Sequence, residues 1–145
     1  MKILLAIDGS APSHDAIEEV ADRPWPSSST LRILSVIQPY PPPATEVVLA
    51  SATIEDIRER LAQEAEQLIQ QARARVTPSG LSVETEIRAG DPRTVIVDAA
   101  DEWQADLIVV GSHGRTGINR LVMGSVAQAI VAHAHCSVEV VRRAA

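Results

Sequence analysis

The sequence predicts an α/β fold in which a five-stranded parallel sheet is covered by helices on both faces, built as a single domain over residues 1–145. Three observations predict it. Five short apolar runs rich in isoleucine and valine recur along the chain, amphipathic helical stripes separate them, and no two runs are joined by a tight turn. Alternation of strand and helix without hairpins is the pattern of parallel strands linked by crossovers. At 145 residues the chain can bury roughly 70% of the surface its unfolded form exposes, enough for a core without disulfide staples.

The first strand is Ile3 to Ile7, ending at Asp8. Ala16, Ile17, Val20 and Ala21 form the apolar stripe of a first helix, with Ser13 placed as its cap. Leu31 to Ile37 is the second strand. Pro39 to Ala44 carries four prolines and a tyrosine and can be neither helix nor interior strand, so it is a spacer or a lid. Ile54, Ile57, Leu61, Ala65, Leu68, Ile69, Ala72 and Val76 mark a long second helix, which Pro78, Ser79 and Gly80 end. Leu81 to Ile87 is the third strand. Gly90-Asp91-Pro92 then starts a third helix whose stripe is Val95, Ile96, Ala99, Ala100 and Trp103, because proline is tolerated in a helix's first turn. Leu107 to Val110 is the fourth strand, Gly124-Ser125 opens a fourth helix running to about His133, and Val138 to Val141 is the fifth strand.

Composition narrows the functions. A formal net charge of −6 argues against broad binding of DNA or RNA backbones, which needs clustered lysine and arginine. Only Trp25, Tyr40 and Trp103 are aromatic, so a platform for stacking successive bases is missing as well. Cys136 is the single cysteine, which suits a reduced compartment. Met1-Lys2 leads into an apolar run of five residues, far short of a signal core or a membrane span. The expectation is a cytoplasmic protein with no nucleic-acid partner and no membrane insertion.

The chemistry concentrates after the fourth strand. Gly111-Ser112-His113-Gly114-Arg115-Thr116-Gly117 is glycine-rich enough to bring backbone close to an oxyanion, and Arg115 and Arg120 add positive charge. A helix starting at Ser125 would add free amides, a capping hydroxyl and the positive end of its dipole, the elements of a phosphate cradle. A tight turn is the alternative meaning of such glycines. No lysine precedes Ser125 as a phosphate-loop motif requires, and the glycine spacing is not that of a dinucleotide fingerprint, so retention of a nucleotide is favoured over phosphoryl transfer. Asp8, after the first strand, is either a ligand to a divalent cation or a turn former. His113 reads as a phosphate contact rather than a catalyst. His133, His135 and Cys136 lie close in sequence but straddle a helix end with no fourth ligand, a poor metal site.

Gly111, two residues, Gly114, nine residues and then Gly124-Ser125 resembles the ATP-binding signature of the universal stress protein family. Ile3-Leu4-Leu5-Ala6-Ile7-Asp8-Gly9-Ser10 looks like that family's opening strand and acidic turn, and Gly90-Asp91-Pro92 with Ala105 to Val110 looks like its third-helix start and fourth strand. The resemblance spans nearly the whole chain. It implies a three-layer, Rossmann-like sandwich of the adenine nucleotide alpha hydrolase-like type, with ATP across the ends of the first and fourth strands. Carried over by position, Gly111, Ser112, His113, Gly114, Arg115, Gly117, Gly124, Ser125 and Val126 would surround the phosphates and ribose. Ala6, Asp8 and Val36 would lie near the adenosine, with Asp8 also facing Mg2+ or Mn2+.

The resemblance also implies a homodimer through the last strand, although His135 and Ser137 replace prolines that commonly flank the cysteine, and Glu139 interrupts the strand as a charge that can guard an edge. Three functions compete on this basis: a regulatory ATP-binding protein of nucleotide-dependent stress response, a slow ATPase or phosphate-transferring enzyme, and an interaction module without nucleotide.

Overall fold

The computed structural model describes residues 1–39, 51–114 and 123–142. Its strands are β1 (Lys2–Ile7), β2 (Thr30–Ile37), β3 (Ser82–Ala89), β4 (Leu107–Gly111) and β5 (Ser137–Val141). The helices are α1 (Ala11–Asp22), α2 (Ser51–Val76), α3 (Pro92–Trp103) and α4 (Ser125–His133), with a short 3-10 turn at Thr77–Ser79. All pairings are parallel, in the order β3-β2-β1-β4-β5. The α/β, Rossmann-like expectation is therefore met. Of the proline-rich stretch, only Pro39 falls among the described residues.

Alternation along the buried strands divides the core into two halves, since successive side chains of a strand point to opposite faces. On one side Ile3, Leu5, Leu31, Ile33 and Val109 pack with Ile17 and Val20 of α1 and Ile69, Ala72 and Val76 of α2. On the other, Leu4, Ala6, Leu34, Ile108 and Val110 pack with Ile96, Ala99 and Ala100 of α3 and Ala127 and Ile130 of α4. Three layers result.

Two local expectations require correction. Helix α1 is capped by Ser10, whose hydroxyl accepts the Ser13 amide at 3.3 Å, while Ser13 lies inside the first turn, 3% exposed, with its own hydroxyl accepting the Asp8 amide. Pro12 in the first turn costs no hydrogen bond there, so the helix begins before it instead of after it. Likewise Ser125 is the first residue of α4, not its cap; Gly124 holds that position, and among the described residues no side chain caps the helix.

Glu139 also finds a place that spacing could not reveal. It points toward α1, where Arg23 binds both carboxylate oxygens and reaches Glu19 as well. These bonds hold the Arg23 guanidinium's pKa above its ordinary value. Nearby, burial pushes the Cys136 thiol up, which makes it a poorer thiolate source.

Candidate functional site

Strand order reverses direction at β1, with β2 on one side and β4 on the other, and ligands of open parallel sheets sit beyond the carboxyl ends of strands at such a point. A cavity of about 620 Å³ opens there. Ala6 and Asp8 from β1, Val36 from β2, Gly111, His113 and Gly114 from the end of β4, and Gly124, Ser125 and Val126 from the start of α4 all line it. Residues 105 positions apart are thus brought onto one surface by the β1–β4 pairing of Leu5 with Val109 and its neighbours, as between Ala6 and Gly111.

Each glycine has a distinct reason. A side chain at Gly111 would stand 2.6 Å from the carbonyl carbon of Pro12, so this glycine admits the first turn of α1 against β4. At Gly114 a methyl would stand 3.1 Å from Asp8 Oδ2, on the cavity wall. At Gly124 it would press on the Ser112 carbonyl oxygen at 3.1 Å and His113 Cα at 3.2 Å. The two arms of the loop are stitched there, because the Gly124 amide donates to Ser112 O at 2.7 Å.

Ser112 does not line the cavity. It is 5% exposed and sits behind the wall, its amide donating to Val141 O at 3.0 Å and its hydroxyl meeting His113 Nδ1 at 3.0 Å. The other ring nitrogen of His113, Nε2, is enclosed and has no hydrogen-bond partner among the described residues. A buried unpaired nitrogen is costly, which makes it a place for an incoming acceptor or donor.

The start of α4 is a source of donors on this cavity. Its first intrahelical bond runs from Gln128 N to Gly124 O at 3.0 Å, so the amides of Ser125, Val126 and Ala127 precede the ladder, and all three residues line the cavity. The helix dipole adds partial positive charge at the same spot. Opposite, Asp8 forms a turn: Oδ1 accepts the Ser10 amide at 2.9 Å and the Ser10 hydroxyl. The turn-former meaning of Asp8 is therefore observed, and the same residue lines the cavity.

Sequence reasoning missed the far wall. Leu61, Ala65 and Leu68 of α2 and Ile37 of β2 complete the cavity, with Glu64 beside them. Their periodicity marked them as apolar, but nothing in it distinguished a cavity wall from core. Arg115, Gly117 and Arg120 lie outside the described residues. Among the described residues no three of histidine, cysteine, aspartate and glutamate cluster as a metal site, and His135 faces Asp101 at 3.1 Å instead of Cys136.

A parallel sheet with a glycine-walled cavity at its switch point and an uncapped helix start on that cavity defines a Rossmann-like ligand-binding domain. Comparison with known proteins gives the family: the universal stress protein family model matches residues 1–142, and the chain belongs to that family. It is 30% identical over 142 residues to a universal stress protein of Methanocaldococcus jannaschii, covering 98% of this chain and 82% of that one. The structure of a universal stress protein from Lactobacillus plantarum is similar with a TM-score of 0.83 at 29% identity, covering 98% and 97% of the two chains. A universal stress protein solved in complex with cAMP is similar with a TM-score of 0.65 at 25% identity, covering 98% and 96%. Among the described residues no helix is long and apolar enough to cross a membrane.

Proposed function

We propose that the protein is an ATP-binding regulatory member of its family, which holds the nucleotide in the cavity between β1 and β4 and serves a nucleotide-dependent stress response in the cytoplasm. The observation that carries this reading is the set of three amides ahead of the α4 ladder, on residues that line a cavity at the sheet's switch point. The cAMP-bound neighbour supports an adenine nucleotide as the ligand class. In this arrangement the phosphates lie against Gly114 and the first turn of α4, and the apolar surface of Ala6, Val36 and Val126 receives the adenosine. Asp8 fits a Mg2+ or Mn2+ ion carried by the phosphates, since such an ion needs only one or two protein carboxylates. The ion would neutralise triphosphate charge beside this acidic residue.

The same reading includes a homodimer through β5. Arg23 neutralises Glu139 on the α1 side, so that charge is occupied within the chain, while Val138 and Val140 pack with the α3 and α4 core. A dimer mass in light scattering at micromolar concentration is expected, and a monomer mass contradicts that part.

Calorimetry with magnesium and ATP tests the main proposal. The unaltered protein is expected to bind, and Gly114→Val is expected to lose at least about ten-fold in affinity by filling the wall beside Asp8 while keeping its thermal transition. No heat of binding by the unaltered protein, together with no nucleotide in gently purified material, contradicts it.

A further inference from the structure

We propose that Gln128 is a positioning residue for this site, acting through the peptide unit between Met123 and Gly124; the inference rests on the nucleotide reading above. Gln128 is exposed on α4 and is not among the residues lining the cavity. Its Nε2 donates to the Met123 carbonyl oxygen. The Gly124 amide, on the opposite edge of the same planar peptide, donates to Ser112 O at 2.7 Å. One rigid plane is therefore gripped at both ends, by the helix that follows it and by the loop that precedes it.

That grip matters because of what stands next in the chain. Gly124 carries no side chain to cap the helix, and glycine has the widest backbone freedom of any residue. Rotation of the 123–124 plane would swing Ser125 and the amides behind it away from the cavity. Helices α1 and α3 fix their first turns with a serine or an aspartate at the cap, which occupies the same amides that an anion would need. Gln128 does the fixing from outside. It holds the preceding carbonyl and leaves the amides of Ser125, Val126 and Ala127 to the ligand.

The test is ATP affinity and ligand-free thermal stability in Gln128→Met, which keeps most of the volume but has no donor, and in Gln128→Ala. Both variants are expected to bind ATP about three- to ten-fold more weakly, the range of one lost hydrogen bond, while the ligand-free Tm stays within about 2 °C. Matching losses in the two variants assign the effect to the donor and not to packing. Unchanged affinity in both overturns the proposal, as does a loss of affinity accompanied by a comparable fall in ligand-free Tm. Failure of the unaltered protein to bind ATP is a separate outcome, which overturns the nucleotide reading and this inference with it.

Discussion

Helices α1 and α4 pack on opposite faces of the sheet and both reach the cavity with their first turns, yet those turns are satisfied in opposite ways. At α1, Ser10 accepts the Ser13 amide and itself donates to Asp8, so the turn is closed upon its own side chains. At α4, Gly124 contributes no cap, and three amides stay ahead of the ladder. Helix α3 follows the first pattern, with Asp91 accepting the Arg93 amide at 3.0 Å. A helix start satisfied from within is architecture, whereas one left open beside a cavity has kept its donors for something that arrives from outside.

The largest effect should come where the closed helix start of α1 meets strand β4. Gly111→Ala would drive a methyl to 2.6 Å from the Pro12 backbone, which cannot yield as a flexible side chain would. Unfolding in denaturant is expected to show a loss of about 2–3 kcal/mol. An unchanged midpoint would mean that α1 does not sit this close to β4.

Closing the open end gives the next effect. Ser125→Asp places a carboxylate at the first turn of α4, where it should raise ligand-free stability by about 0.5 kcal/mol through the helix dipole. The same charge repels phosphate, so ATP affinity should fall more than about ten-fold. Affinity that survives this change would place the phosphates elsewhere. The converse change, Ser10→Ala, opens the closed end: α1 should lose about 1 kcal/mol of stability, measurable by thermal unfolding. No loss would show that Ser10 is not the working cap.

The smallest effect concerns pH. The Arg93 guanidinium beside Asp91, aided by the Arg93 amide, holds that carboxyl below its ordinary range. A depressed folded-state pKa contributes stability that is complete above the unfolded value and is lost as pH falls through the folded one. Asp91→Asn should therefore flatten part of the acid limb of a stability–pH curve and leave the neutral region unaltered in slope. An effect centred near neutrality would contradict this assignment.

Much of the fold was legible in the sequence, because five β-rich runs and the stripes between them report burial directly. The structure moves strand ends by one or two residues: Leu81 to Ile87 becomes Ser82–Ala89, a change set by pairing with β2 up to Ile37 opposite Ala89. Strand order was not written in the pattern, nor was the partner of Glu139, since Arg23 lies 116 residues away. Of the site, the glycines were visible but their separate causes were not. Gly111 answers to α1, a contact between segments far apart in the chain that no local spacing encodes. The α2 wall stayed hidden for a related reason, as Leu61, Ala65 and Leu68 repeat with the period of core residues whether or not a cavity lies before them.

Backbone amide resonances of isotope-labelled protein, followed while magnesium and ATP are titrated in, compare the open and closed helix starts in a single experiment. Phosphate binding at α4 predicts large, saturable shifts at Ser125, Val126 and Ala127, with much smaller ones at Ser13 and Arg93, whose amides are already held by Ser10 and Asp91. Saturating ATP that leaves the three α4 amides in place would contradict it.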